Sequence, residues 1–182
     1  TRDYWQPQIL KGGDQRYYLY YCAHYPATGF SRIGVAVGDR VEGPYSDVYG
    51  RPLFDWGYSV IAPHLFRDDD GAMYLYYSRG VGQNMVNGVK TSQLYVVRMK
   101  SMTELADGVE PVLLTTPWQE WETASRSPLW NEGPGILKRG DRYYLFYSAN
   151  CFAGRNYAIG YATSDSPMGP FAKAEENPVL SA

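Results

Sequence analysis

Gly13-Asp-Gln-Arg-Tyr-Tyr-Leu-Tyr-Tyr-Cys22 returns twice along the chain, as Asp70-Gly-Ala-Met-Tyr-Leu-Tyr-Tyr-Ser78 and as Gly140-Asp-Arg-Tyr-Tyr-Leu-Phe-Tyr-Ser148. Each copy opens on a Gly-Asp or Asp-Gly pair, which tolerates the positive φ of a tight hairpin, and runs on into aromatic residues that favour strands. The copies set Tyr18, Tyr74 and Tyr144 in register, at offsets of 56 and 70 residues. A further strand candidate follows each one: Ile33-Gly-Val-Ala-Val37, Leu94-Tyr-Val-Val-Arg98 and Ile159-Gly-Tyr-Ala-Thr163. Another precedes each: Trp5-Gln-Pro-Gln-Ile-Leu10, Val60-Ile-Ala-Pro-His-Leu-Phe66 and Trp130-Asn-Glu-Gly-Pro-Gly-Ile-Leu137. A fourth strand is expected beside the Gly-Pro pairs at Gly43 and Gly169, where proline removes a ladder donor.

Four-stranded units repeated at this spacing are the signature of a β-propeller. The sequence therefore predicts an all-β fold, a β-propeller of four-stranded antiparallel blades, as one domain with blades at approximately residues 3–56, 57–116 and 128–178. A sandwich would not repeat a whole four-strand motif. Only Met102 to Ala106 hints at a helical turn. Propellers close with about four to eight blades. Three make an arc whose end blades bare apolar faces unless more blades, or a partner, cover them.

Composition narrows the partners. Net charge is −2 over 182 residues, so no basic face is expected to neutralise phosphates or an anionic membrane. No apolar run approaches the roughly 18 residues of a membrane helix. No secretory signal stands at Thr1, so the sequence reads as a mature form or as part of a longer protein. Aromatics make up 16%, with 18 tyrosines, which suits both a packed sheet and a surface for flat neutral rings. Cys22 and Cys151 have no CxxC or His-rich neighbourhood and are expected as two free thiols, with no metal site.

Counting back twelve residues from the aligned tyrosines reaches Gln6, Ala62 and Glu132. If the first strand of each blade lines the central channel, pseudo-rotation brings these three positions toward one axis. Glu132 lies between an aromatic wall at Trp130 and a Gly-Pro bend, where partial burial would raise its pKa as a general acid requires.

Asp3-Tyr-Trp-Gln-Pro-Gln-Ile9, Ile61-Ala-Pro-His-Leu-Phe-Arg-Asp-Asp-Asp-Gly71, Asn131-Glu-Gly-Pro134 and Ile159-Gly-Tyr-Ala-Thr-Ser-Asp-Ser-Pro-Met-Gly-Pro-Phe171 together resemble glycoside hydrolase family 43, over nearly the whole chain. The resemblance implies a five-bladed propeller hydrolysing arabinose- and xylose-containing polysaccharides with inversion, of which this chain has about three blades. It implies Glu132 as general acid. The pKa-tuning Asp would fall at Ala62, and the general base would lie on a blade preceding these residues. A His-bearing last blade, which helps hold a central calcium or water in the family, would follow Leu180. No cofactor is expected.

The implied ligand is an arabino- or xylo-oligosaccharide, contacted by Trp5, Gln6, His64, Trp130 and Asn150. The implied location is extracellular or periplasmic rather than cytoplasmic. Residues 81–92 form a polar loop expected at the cleft rim. Two other readings stand beside an impaired enzyme: a sugar-binding module that lost its acids, and a fragment completed by a homo-oligomer or by another chain that supplies the missing blades.

Overall fold

The computed structural model describes residues 2–181. β1 (Arg2–Lys11), β2 (Tyr17–Tyr25), β3 (Phe30–Gly38) and β4 (Ser46–Asp47) form the first sheet in that order. β5 (Val60–Arg67), β6 (Met73–Arg79), the small hairpin β7 (Met85–Val86) and β8 (Val89–Lys90), β9 (Gln93–Met99) and β10 (Val112–Thr115) follow. Of these, β5, β6, β9 and β10 make the second sheet. β11 (Asn131–Arg139), β12 (Arg142–Ala149), β13 (Ala158–Ser164) and β14 (Ala172–Lys173) make the third, with β15 (Leu180–Ser181) added to β13. Within each sheet neighbouring strands run antiparallel.

The Met102–Ala106 expectation fails. Ser101 Oγ accepts hydrogen bonds from Thr103 N and Glu104 N at 3.2 and 3.1 Å, a side-chain turn that returns Leu105 to bridge Met99. The helical element among the described residues is the 3-10 turn Glu120–Thr123.

Strand alternation sends side chains of each second strand to opposite faces. Tyr18 and Tyr20 meet Leu75 and Tyr77 between the first and second sheets. Tyr74 and Tyr76 meet Leu145 and Tyr147 between the second and third. The innermost strand β5 packs against both β1 and β11. The end faces stay apolar and bare: Tyr4 and Ile9 are exposed on the first sheet, and Leu137, Phe146 and Leu180 on the third.

Every innermost strand carries the same bulge. Pairing skips a residue between Trp5 and Gln8, between Ile61 and His64, and between Glu132 and Gly135. Gln6, Ala62 and Gly133 sit in these bulges with φ of 53°, 56° and 64°, the left-handed region that costs an L-residue roughly 1–2 kcal/mol.

The blades are then clasped by side chain to backbone. Gln8 accepts from Leu65 N at 2.6 Å and donates to Leu65 O at 3.1 Å. One blade further on, the His64 ring bonds the backbone of Ile136. Gln8→Ala leaves the Leu65 amide, on a residue 1% exposed, without its partner. A loss of about 1–3 kcal/mol is expected, seen as a melting temperature lower by roughly 2–4 °C per kcal/mol; an unchanged melting temperature would show that the clasp contributes nothing.

Candidate active site

The bulges correct the equivalence drawn from the tyrosine count. Lys11 pairs with Tyr17 across residues 12–16, whereas Lys138 pairs with Tyr143 across residues 139–142, one fewer. The third hairpin is shorter, so counting through it shifts the inner strand by one. Trp5, Ile61 and Glu132 are the equivalent residues, paired with Cys22, Ser78 and Ser148, and the partner of Gln6 and Ala62 is Gly133. The sequence held the signal that finds this, in Trp5-Gln-Pro7, Ile61-Ala-Pro63 and Glu132-Gly-Pro134.

Two second-strand side chains string the bulges together. Cys22 Sγ lies 3.2 Å from Gln6 Oε1 and also bonds the Ala62 backbone. Ser78 Oγ accepts from Gly133 N at 3.1 Å. Gln6, Ala62 and the Glu132-Gly133 pair therefore do follow one another around the inner edge of the arc, although Glu132 sits one step from where counting put it. Burial lifts the Cys22 thiol to about 12, so it stays protonated and unreactive.

Glu132 is half-buried, and burial raises its carboxyl above the ordinary glutamate range, while a hydrogen bond from Ser92 pulls the other way. A raised pKa is the direction that a proton donor needs. Asn131, immediately before it, is fully buried. Ser92, also fully buried, fixes this approach: Ser92 N donates to Leu129 O at 2.8 Å, and Asn131 N donates to Ser92 O at 3.2 Å. The expected rim loop, residues 81–92, thus ends at a buried residue beside Glu132.

The other expected residues separate. Trp5 is half-buried on the free face of the first sheet, lining a hollow with Tyr4, Pro7, Leu19 and Tyr21, and Gln6 is exposed beside it. Trp130 is half-buried, its carbonyl accepting from Asn131 Nδ2 at 3.0 Å. His64 is occupied by the blade clasp, with Nδ1 3.2 Å from Gln8 Nε2, and burial lowers its pKa, which keeps it neutral. Asn150 must be corrected. It is 3% exposed, its Nδ2 donates to Trp121 O and Asn156 O at 2.7 and 2.9 Å, and its Oδ1 accepts from Ser125 Oγ at 3.2 Å. With all polar atoms turned inward to hold the 151–157 loop, it has nothing to offer a ligand.

Ala62 is 6% exposed at positive φ, a conformation in which Asn, Asp and Gly are the usual residues. The backbone suits the Asp that the resemblance expects better than it suits alanine. Among the described residues no group of three or more His, Cys, Asp or Glu side chains converges on one point.

The family model described as Glycosyl hydrolases family 43 matches residues 1–182. An extracellular endo-alpha-(1->5)-L-arabinanase of Thermotoga petrophila is 31% identical, over 95% of this chain and 38% of its own length. An arabinoxylan arabinofuranohydrolase of Bacillus subtilis is 31% identical, over 92% of this chain and 33% of its own length. The crystal structure of a thermostable family-43 glycoside hydrolase superposes with a TM-score of 0.93 at 39% identity, covering all of this chain and 57% of that one. The chain thus spans under two-fifths of these curated relatives and a little over half of this solved structure.

Two measurements check the site. A carboxyl held above its ordinary value binds more protons folded than unfolded, so it costs stability as pH rises from about 4.3 through the raised value. Glu132→Gln removes that cost, so its melting temperature should gain on the unaltered chain between about pH 4 and neutrality; a pH-independent difference would mean the carboxyl is not buried. Ala62→Gly relieves the left-handed strain less the chain entropy glycine adds, a net gain of roughly 0.5–1 kcal/mol, and a destabilised variant would contradict the bulge geometry.

Proposed function

The chain belongs to glycosyl hydrolases family 43, and on that premise we propose that it supplies the proton-donating side of a glycosidase site for arabinose- or xylose-containing plant polysaccharides or oligosaccharides. Inverting hydrolysis needs a protonated carboxyl at the departing oxygen and a carboxylate, about 6.5–9.5 Å away, that activates water on the opposite face. Glu132 takes the first role. The observation that carries this reading is its half-buried place beside the fully buried Ser92, where burial raises its pKa.

The second role is unfilled. On the resemblance, the base lies on a blade that these 182 residues do not include, and Ala62 takes the place of the acid that tunes Glu132. A missing general base costs about 10²–10⁴-fold. Turnover by this chain alone is therefore weak or absent, and full activity belongs to an assembly that brings in the remaining blades. The longer relatives and the bare apolar ends at Tyr4, Ile9, Leu137 and Phe146 support that view. They equally favour the second reading, a carbohydrate-binding propeller fragment completed by a partner chain. A location outside the cytoplasm follows from the polymeric substrate, and two relatives are named as extracellular.

The test is hydrolysis of nitrophenyl α-L-arabinofuranoside and β-D-xyloside by this chain, beside titration with arabino- and xylo-oligosaccharides. Release no faster than that of Glu132→Gln, together with saturable oligosaccharide binding, is expected. Ala62→Asp alone should not restore family-like rates. Rapid turnover by the unaltered chain would refute the missing base, and an absence of both binding and turnover would refute the carbohydrate reading.

A further inference from the structure

A buried ion pair lies behind Glu132, and nothing in the reaction as described uses it. Glu122 is 0% exposed, in the 3-10 turn Glu120–Thr123. Lys173, in β14, has a side chain 2% exposed, and its Nζ reaches Glu122 Oε1 and Oε2 at 2.6 and 2.7 Å. Burial pulls the Lys173 ammonium down to about 8 against the attraction of Glu122, so it remains charged at neutrality. Both charged groups have further backbone partners. Trp118 N and Gln119 N donate to Glu122 Oε2 at 2.9 and 2.8 Å, and Lys173 Nζ also donates to Thr116 O at 2.7 Å.

Both members of the pair grip the residue before the candidate acid. Asn131 Nδ2 donates to Glu122 Oε1 at 3.0 Å, and Asn131 Oδ1 accepts from Lys173 Nζ at 3.1 Å and from Thr115 Oγ1 at 2.5 Å. Asn131 opens β11 next to the bulge, so its rotation would swing the Glu132 carboxyl out of its half-buried position. A pair serving stability alone is a poor investment of two buried charges, since hydrophobic replacements of such pairs are often as stable or more so. Fixing the orientation of a neighbouring group is a use that greasy packing does not supply.

Resting on the reading of Glu132 as the acid, we propose that Glu122 and Lys173 are positioning residues, which clamp the Asn131 amide at both ends and so hold Glu132 in its half-buried position. Two variants of the 182-residue chain test this. Asn131→Ala removes the clamped side chain. The double variant Glu122→Gln, Lys173→Met removes the pair as a neutral whole, so no change of net charge acts on Glu132. The readout is the titration midpoint of the Glu132 carboxyl, followed by carbon-13 NMR, with the melting temperature recorded beside it.

In both variants the midpoint should fall, by about half a unit or more, toward the ordinary glutamate range, because loss of burial outweighs loss of the Ser92 bond. A purely structural pair would lower the melting temperature and leave the midpoint where it was, which overturns the proposal. Loss of the native spectrum in both variants would also overturn it, since the network would then be holding the blade rather than its acid. An ordinary midpoint in the unaltered chain would refute the acid assignment itself, a failure distinct from a raised midpoint that survives both substitutions.

Discussion

The bond from Gly133 N to Ser78 Oγ, with its counterpart between Cys22 and the Ala62 backbone, is the constraint on which the site depends. Blades that met only through apolar side chains would be free to slide, because apolar contact is non-directional. A hydrogen bond from the second strand of one blade to the bulge of the next fixes their relative height. The bulge frees that amide from the strand ladder in the first place, and a left-handed residue at Gln6, Ala62 or Gly133 makes the bulge. Strain of this kind persists where the surroundings over-determine it and gathers at functional sites.

From that tie the chemistry follows in sequence. In the first blade the residue before the left-handed bulge position is Trp5, on the open face, and in the third it is Glu132, half-buried beside Ser92. One fold position thus carries an aromatic ring in one blade and a carboxyl in another. The Gln8 and His64 clasps, set just beyond the bulge, keep consecutive inner strands together without using the channel-facing residues. The Glu122–Lys173 pair then fixes the strand entrance from behind.

Much of this was legible in the sequence and some was not. The blades were, because hairpin signals and aromatic strands at Tyr18, Tyr74 and Tyr144 repeat strongly enough to outvote local ambiguity. A candidate acid was legible too, in Glu132-Gly-Pro134. Its register was not, because a turn shorter by one residue looks identical when counted from only one side of the hairpin, and a slip of one reverses the facing of a strand. Asn150 was misread because a polar residue at a strand end looks available until its partners, Trp121 O and Asn156 O, are seen. Glu122 and Lys173 were invisible, since pairing across 51 residues leaves no local pattern.

The convergence of the bulges is most directly tested by through-space NMR contacts in the intact 182-residue chain. Cross-peaks between the Ser78 β-protons and the Gly133 amide, and between the Cys22 β-protons and Ala62, are expected, joining residues 55 and 40 positions apart in sequence. A folded chain that shows the antiparallel contacts within each sheet but neither of these would have blades that do not meet at their bulges, and the shared site would not exist.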